Sequence, residues 1–258
     1  MYHFFVPAGR ENEEEFRITG PDVNHIRNVL RMKPGEKVAI SDGQDRDWYC
    51  IITEIAKDFV LAKVESEAEA AELSAELILY QGLPKNDKME FIIQKAVELG
   101  AKRIVPVQMK RSVVKWEEKK QQGKLARWNA ISEQIAESAA KQSGRSTVPA
   151  VDPVLRMEKA AQEAAELDLI LVPFENAKGM EATAEAISLV KPGMRVGIFI
   201  GPEGGLEASE VERLREAGAR VISLGRRILR TETAGLAALT LCMYALELQG
   251  GNNGNLFG

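Results

Sequence analysis

The sequence predicts two folded regions, a small β-rich unit followed by a larger α/β domain with a mostly parallel sheet. Short apolar runs separated by turn residues continue to about residue 72, and from about residue 77 strand-like and helix-like segments alternate. The 258 residues are 45% apolar and 28% charged, as in ordinary globular proteins. We predict domains at 1–72 and 73–248, and a frayed Gly- and Asn-rich tail at 249–258.

The N-terminal region contains strand-like runs and one helix. The runs are Lys37–Ser41, Trp48–Ile55 and Phe59–Val64. Apolar residues at helical spacing predict a helix over Asp22–Arg31, in which His25, Asn28 and Arg31 share one face. Short strands with a single helix favour a small barrel. The acidic, Ala-rich stretch Glu65–Glu76 is predicted to be a solvated linker.

The C-terminal region alternates predicted strands with predicted helices. The strands are Leu77–Gln81, Arg103–Val107, Asp168–Val172, Arg195–Ile200 and Arg220–Leu224. The helices are Asp87–Leu99, Leu125–Gln142, Ala182–Val190, Glu207–Ala217 and Thr233–Leu248. Loops that follow parallel strands converge at one edge of the sheet, which is the usual ligand crevice of such domains.

Composition and charge exclude several classes of protein. A net charge of −4 excludes a histone-like nucleic-acid binder. Two distant cysteines, Cys50 and Cys242, and two histidines leave no recognisable zinc or iron–sulfur ligand set, so we predict no metal. Because the N-terminus lacks a signal peptide and no run of 18 apolar residues occurs, we expect a cytoplasmic protein that does not contact membranes.

The middle of the chain is locally basic. Residues 79–150 carry 14 Lys and Arg against 7 Asp and Glu, and half of the basic residues lie between Lys110 and Arg127. Local positive potential is what a phosphate backbone requires, so this stretch is a candidate RNA surface. A solvated helix face explains the same charges.

A Gly-rich loop follows the predicted strand Arg195–Ile200. Its residues are Gly201, Pro202, Glu203, Gly204 and Gly205. A strand, Gly-rich loop and helix in succession present backbone N–H groups to a ligand. The spacing fits neither a dinucleotide fingerprint nor a P-loop, and Glu203 would repel a polyphosphate. The loop favours a ligand with a polar or cationic part, although a tight turn also explains the glycines.

A second polar segment, Leu224–Ala234, leads into the last predicted helix. Three arginines within five positions exceed what helix capping requires, so an anion or RNA contact is favoured. Thr231 or Thr233 can serve as the N-cap, and Glu232 sits where the helix dipole favours a carboxylate.

These segments together carry a family resemblance. The motifs are Gly82–Lys85, Gln94–Gly100, Ile200–Gly205, Leu224–Ala234 and, in the N-terminal region, His25–Arg31. With them the chain resembles, over essentially its whole length, the RsmE family. These are bacterial methyltransferases of the SPOUT superfamily that modify uridine N3 in small-subunit (16S) ribosomal RNA.

The resemblance implies a PUA-like β-barrel followed by a SPOUT α/β domain with a C-terminal deep trefoil knot. It also implies a homodimer, with S-adenosylmethionine bound in the knot. The implied cofactor residues are Val172, Pro173, Gly201, Pro202, Glu203, Gly204, Gly205, Leu224, Gly225, Ile228, Leu229, Arg230, Thr231 and Thr233. Filling the loop at Gly204 with a valine side chain is expected to block cofactor binding.

Substrate and catalytic residues complete the prediction. RNA contacts are expected at Arg10, Arg27, Arg31, Lys85, Arg111, Ser112, Gln142 and Arg145. For catalysis we predict that Arg230 stabilises the uridine anion and that Glu232 is the base. Lys141 departs from the family, which usually has Glu there. Two alternatives remain open: a SPOUT enzyme acting on ribose 2′-O or guanine, and a non-catalytic RNA-binding factor of ribosome assembly.

Overall fold

A computed structural model describes residues 1–6, 14–43, 46–69, 71–85, 88–113, 130, 133–177 and 179–250. It divides into two compact units. The N-terminal unit comprises Met1–Glu72 and Ser138–Val148, and the C-terminal unit comprises Leu73–Glu137 and Pro149–Gly258. The segment Ser138–Val148 is thus grouped with the N-terminal unit, whereas the sequence suggested a single boundary after residue 72.

The N-terminal unit is built on a five-stranded sheet. Its strands are β1 (Tyr2–Phe5), β2 (Glu15–Ile18), β3 (Lys37–Ser41), β4 (Asp47–Ile55) and β5 (Val60–Ala68), in the order β1-β3-β4-β5-β2. Only the β1–β3 pair is parallel. One face buries an apolar core that includes Phe16, Ile26 and Ile40.

Strand β5 extends into the stretch that we expected to be a linker. Its acidic residues pair with basic residues of the same sheet region, because Glu65 lies 2.6 Å from Lys37 of β3 and Glu67 lies 3.2 Å from Arg46, the residue just before β4. Cross-strand pairing therefore explains a composition that looks like a solvated linker in isolation.

The predicted helix Asp22–Arg31 is only partly α-helical. Helix α1 covers Pro21–Asn24, and a π-helical turn follows at His25–Val29, where the Leu30 N–H donates to the His25 carbonyl at 2.9 Å. The predicted shared face of His25, Asn28 and Arg31 assumed α-helical spacing, which a π-helical turn does not have, although all three residues are exposed. Arg31 ends the turn with a φ of 54°.

The C-terminal unit contains a seven-stranded parallel sheet. Its strands are β6 (Glu76–Gly82), β7 (Ala101–Gln108), β8 (Ala150–Val151), β9 (Leu155–Arg156), β10 (Leu169–Pro173), β11 (Arg195–Ile200) and β12 (Arg220–Ile222). The order is β12-β10-β11-β6-β7-β8, and β9 also pairs with β7. The predicted α/β class and parallel sheet are confirmed.

From residue 88 onward, the described residues contain six helices. They are α2 (Lys88–Glu98), α3 (133–143), α4 (Met157–Ala164), α5 (Glu181–Ser188), α6 (Ala208–Glu216) and α7 (Thr231–Gly250). Strands β8 and β9 and helix α4 were missed by the sequence analysis. Residues 125–129 and 131–132 of the long predicted helix lie outside the described residues.

Strand β11 lies near the middle of the parallel sheet and positions the site. It pairs with β10 on one side and β6 on the other. Phe199 stacks on Tyr80 with ring centroids 4.3 Å apart and an interplanar angle of 2°. This fixed strand carries the Gly-rich loop at its carboxyl end. Within the described residues no helix is both long and apolar enough to cross a membrane.

Candidate functional site

A cavity of about 330 Å³ lies at the carboxyl ends of three neighbouring strands, β10, β11 and β12. Loops after these strands supply most of its lining, and Lys88 of α2 joins them. The lining residues are Lys88, Pro173, Phe174, Glu175, Ile200–Glu203, Gly205, Leu206, Ser223–Thr231 and Ala234. Three polar loops were expected to converge here, and the Gly-rich loop and the segment after β12 do so, whereas no residue of the third, Gln81–Lys85, lines the cavity.

Three of the proposed cofactor residues do not line this cavity. Val172 is fully buried in the core beside the sheet. Thr233 is exposed on α7. Gly204 faces away, because a Cβ at this position would lie 2.9 Å from the Cβ of Arg111. The reason that we gave for the effect of a valine at Gly204 was therefore wrong, since its side chain would meet Arg111 and not the cavity.

Two glycines of the loop after β11 are required by its geometry. A Cβ on Gly201 would lie 2.8 Å from the carbonyl carbon of Gly205 and from the amide nitrogen of Leu206. Gly205 has a φ of +71°, and its N–H donates to the Pro202 carbonyl at 2.8 Å. The loop thus folds tightly on itself and presents backbone rather than side chains to the cavity.

Thr231 ties the last helix to this loop. It is 5% exposed, and its hydroxyl donates to the Gly201 carbonyl at 2.6 Å and accepts from the Gln81 side-chain amide at 2.8 Å. Thr231 is the first residue of α7 and Thr233 the third, so neither precedes the helix as an N-cap does. The predicted N-cap role was wrong, because the Thr231 hydroxyl bonds the Gly201 carbonyl and the Gln81 amide and not an N–H of its own helix.

Three charged side chains meet beside the cavity, of which Lys88 and Glu203 line it and Glu232 does not. The Lys88 ammonium lies 3.2 Å from Oε1 of Glu203 and 3.2 Å from Oε2 of Glu232. Glu203 Oε1 also accepts the backbone N–H of Lys85 at 3.0 Å. Hydrogen bonds to Glu232 and then Glu203 raise the pKa of Lys88. Burial alone would raise the pKa of Glu203, but donation from Lys85, its own N–H and Lys88 outweighs burial and lowers it.

The segment after β12 gives the cavity a cationic rim. Arg226, Arg227 and Arg230 are exposed and line the opening. Ile228, between them, is 86% exposed. The cavity therefore combines a backbone-rich wall with positive charge at its edge, an arrangement suited to a small polar ligand beside a polyanion.

Ser112 is buried and does not present its hydroxyl as expected, whereas Arg111 is exposed and also has internal partners. Arg111 donates from Nε to Oε1 of Glu207 at 2.7 Å and from Nη1 to the Gly204 carbonyl at 2.9 Å. Ser112 is 6% exposed, and its hydroxyl accepts the Met109 N–H at 3.1 Å. Both residues therefore organise the turn after β7 and its contact with the Gly-rich loop.

Arg145, in the N-terminal unit, is also held internally. It is 3% exposed, and its guanidinium donates to both carboxylate oxygens of Glu72. Such a buried, paired group cannot offer its charge to RNA, so its assignment as an RNA contact is corrected to a structural role. Lys141, the residue that departs from the family pattern, forms an ion pair with Asp22 of the same unit at 2.9 Å.

The other predicted RNA contacts have separate locations. Arg27, Arg31 and Gln142 are exposed in the N-terminal unit, and Lys85 is exposed in the C-terminal unit. Arg10 lies outside the described residues, as do the basic positions between Lys115 and Arg127.

The sequence analysis missed Lys88 and Glu175 as lining residues. Lys88 had a recognisable signal, because a lysine at the start of a helix opposes the helix dipole and calls for a carboxylate partner. Glu175 follows β10 two residues after Pro173, at the position where a parallel strand delivers site residues. Among the described residues, no group of three or more His, Cys, Asp or Glu could hold a metal ion.

Comparisons with known proteins agree with this geometry. A family profile described as RNA methyltransferase PUA domain matches residues 18–65, and one described as RNA methyltransferase domain matches residues 71–243. The Ribosomal RNA small subunit methyltransferase E of Bacillus subtilis is 39% identical, covering 98% of this chain and 100% of that protein. The protein of the same name from Mycobacterium bovis is 31% identical over 86% of this chain and 83% of its own length.

Two solved structures are similar along almost the whole chain. Ribosomal RNA small subunit methyltransferase E from Neisseria gonorrhoeae, bound to S-adenosyl methionine, has a TM-score of 0.77 and 30% identity, covering 96% of this chain and 98% of that one. A methyltransferase from Legionella pneumophila in complex with the same cofactor has a TM-score of 0.78 and 26% identity, with coverage of 95% and 97%.

Proposed function

The chain belongs to the ribosomal RNA small subunit methyltransferase E family, and from this premise we propose that it transfers a methyl group from S-adenosylmethionine to N3 of a uridine in small-subunit (16S) ribosomal RNA. The observation that carries the proposal is the meeting of the Gly201–Gly205 loop and the Leu224–Thr231 segment around one cavity. Relatives crystallised with the same cofactor support it.

The residues of the cavity fit this cofactor. Leu224–Arg230 offers backbone donors and acceptors, which suit the uncharged edge of an adenine. Glu175 and Glu203 are compatible with a cationic ligand, whereas they would repel a pyrophosphate. Pro173, Gly201 and the segment Leu224–Thr231 would hold the cofactor. When bound, S-adenosylmethionine supplies an electrophilic methyl group on a sulfonium.

Arg230 and Glu232 are our proposed catalytic residues. Attack by N3 requires loss of a weakly acidic imide proton and placement of N3 in line with the methyl group. Arg230 at the cavity rim would stabilise the uridine anion. Glu232, in the first turn of α7, would accept the proton. The Watson–Crick edge must be accessible, so the target uridine is unpaired or flipped out.

For the RNA surface we propose the exposed members of the predicted set. Arg27, Arg31 and Gln142 are exposed in the N-terminal unit, Lys85 and Arg111 are exposed in the C-terminal unit, and Arg10 is kept from the sequence prediction. Phosphate contacts of this kind position the substrate without reading its sequence. We place the protein in the cytoplasm because its proposed substrate is ribosomal RNA.

A trefoil knot and a homodimer complete the proposal. Strand β12 pairs with β10 at the edge of the sheet, yet the chain then returns to pack α7 against β11 and β6. Residues 223–230 and the Gly-rich loop line the same cavity, and we propose that the returning chain is threaded there. For the dimer, Tyr244 and Leu248 of α7 are 60% and 57% exposed, and a second copy would cover them.

Two assays test the proposed activity. Isothermal titration of the purified chain with S-adenosylmethionine is expected to give one site per chain. Transfer of a labelled methyl group to small-subunit particles or free 16S RNA from cells lacking the enzyme is then expected to be saturable. Cofactor binding without any transfer to RNA would contradict the proposal and indicate a non-catalytic binding factor.

A further inference from the structure

Lys88 joins two parts of the cavity that come from distant positions in the chain. Glu203 belongs to the loop after β11, and Glu232 lies in the first turn of α7. Both carboxylates contact the same ammonium group at 3.2 Å. Lys88 itself is the first residue of α2, so one side chain connects three elements around the cavity.

This cluster differs from an ordinary surface ion pair. The exposed fractions of the Lys88, Glu203 and Glu232 side chains are 29%, 24% and 17%. Partial burial reduces the screening that makes exposed pairs weak. Glu203 also accepts the Lys85 N–H at 3.0 Å. Its carboxylate therefore has two donors, one from the loop before α2 and one from α2.

The two carboxylates depend on Lys88 for their proximity. Oxygens that both lie 3.2 Å from one nitrogen are close to each other, and like charges at such a distance disfavour ionisation of both groups. A cation between them removes this conflict. Without it, the pair would take up a proton or separate, and separation would move the Gly-rich loop relative to the start of α7.

We propose that Lys88 is a positioning residue for this reaction. By bridging Glu203 and Glu232 it holds the Gly-rich loop against the first turn of α7 and places a positive charge between the two carboxylates. Lys88 acts through these two residues and is not itself a proton donor or acceptor in methyl transfer. The inference rests on the proposed function, since it names a residue that maintains the same cofactor cavity.

Titration of S-adenosylmethionine into wild-type protein, Lys88→Gln and Lys88→Arg tests the role. We expect Lys88→Gln to weaken binding on the order of tenfold, because a charge-assisted bridge is lost. Lys88→Arg keeps the charge and should restore affinity to within about threefold of wild type. Lys95→Gln is the matched control, because Lys95 lies on the same helix in an ion pair with Glu98 at 2.7 Å and does not line the cavity.

The pH dependence of binding separates this role from a general loss of stability. In Lys88→Gln the carboxylate pair is expected to take up a proton at a higher pH than in wild type. The affinity of this variant for S-adenosylmethionine should therefore change over a mildly acidic pH range in which the affinity of wild type is constant. Adding Glu232→Gln to Lys88→Gln removes the like-charge conflict and should abolish this extra pH dependence. If Lys88→Gln does not fold, the double variant is titrated with S-adenosylmethionine in its place.

The outcomes distinguish the two proposals. If wild type binds S-adenosylmethionine and Lys88→Gln has the same affinity and pH dependence, the role of Lys88 is overturned and the proposed function stands. If Lys88→Arg binds as weakly as Lys88→Gln, charge is not what matters and the inference again fails. If wild type shows no binding, the proposed function is overturned, and the role of Lys88 with it.

Discussion

The hydroxyl of Thr231 donates a 2.6 Å hydrogen bond to the backbone carbonyl of Gly201, and this bond connects the last helix to the Gly-rich loop. The same hydroxyl accepts from the buried amide of Gln81 at 2.8 Å. A single side chain at the start of α7 thereby joins the end of strand β6 to the loop after β11. The shape of the cavity depends on this buried contact as much as on the sequence of either loop.

Replacing Thr231 by valine should destabilise the protein and weaken cofactor binding. The change keeps the shape of the side chain but leaves the Gly201 carbonyl and the Gln81 amide without their partner, at a cost of about 1–3 kcal/mol. Chemical denaturation measures the free energy of unfolding. Thr240→Val is the control, because Thr240 is exposed on the same helix and its hydroxyl donates only to the Leu236 carbonyl. Equal stability of the two variants would contradict a joining role for Thr231.

Gly201→Ala should abolish tight binding of S-adenosylmethionine. Its Cβ would lie 2.8 Å from backbone atoms of Gly205 and Leu206, so the loop would have to open. We expect a loss of roughly tenfold or more in affinity, measured by titration calorimetry. Gly218→Ala is the control, since Gly218 has a positive φ but open space where a Cβ would lie, and it does not line the cavity. Unchanged affinity in Gly201→Ala would show that the pocket is misplaced.

Gly204→Val is expected to act through Arg111. The valine would press on the Arg111 side chain, and the bonds from Arg111 to Glu207 and to the Gly204 carbonyl would be disturbed. Arg111→Ala should then weaken cofactor binding to a similar extent, and the double variant should be no worse than either single one. Fully additive losses in binding free energy would indicate that the two residues act independently.

Arg230→Ala should remove methyl transfer and leave cofactor binding nearly intact. Loss of a group that stabilises the developing anion typically lowers turnover on the order of 10²–10³-fold. Single-turnover transfer to RNA measures this step, and calorimetry measures binding. Arg215→Ala, an exposed change on α6 with an ion pair to Glu212, is the control. Full activity of Arg230→Ala would remove Arg230 from the mechanism.

Stability in acid should depend on Glu163. Burial alone would raise the pKa of this carboxyl, but hydrogen bonds from Arg103 and Tyr80 outweigh burial and lower it. A carboxyl with a lowered pKa contributes stability above its ordinary pKa of about 4.3 and loses that contribution as pH falls through the folded-state value. Between pH 7 and pH 3 the unfolding temperature should therefore fall less steeply in Glu163→Gln than in wild type. The exposed Glu166→Gln should follow the wild-type slope, and identical slopes in all three would contradict the assignment.

Much of the architecture could be predicted because it is encoded locally. The apolar run Arg195–Ile200 and the glycines after it define a strand and its loop without reference to the rest of the chain, and the structure places both as expected. The same holds for β3, whose bounds were predicted as observed. Glycine and turn chemistry carry their own structural meaning at these positions.

The contacts that organise the site could not be predicted in this way. Lys88 and Glu232 are 144 positions apart, and Arg145 and Glu72 are 73 apart. No periodicity relates such residues, and a basic residue has the same sequence signature whether it faces solvent or pairs internally. Arg111, Ser112 and Arg145 were expected to face RNA for this reason, and the structure gives them internal partners.

Mapping of the modified base tests the central claim most directly. Small subunits from cells that lack this protein would be treated with the purified chain and S-adenosylmethionine, and their 16S RNA digested and analysed by mass spectrometry. We predict one new 3-methyluridine at a single position, absent without the protein and strongly reduced with Arg230→Ala. A methyl group on a ribose or a guanine, or no new modification, would contradict the account.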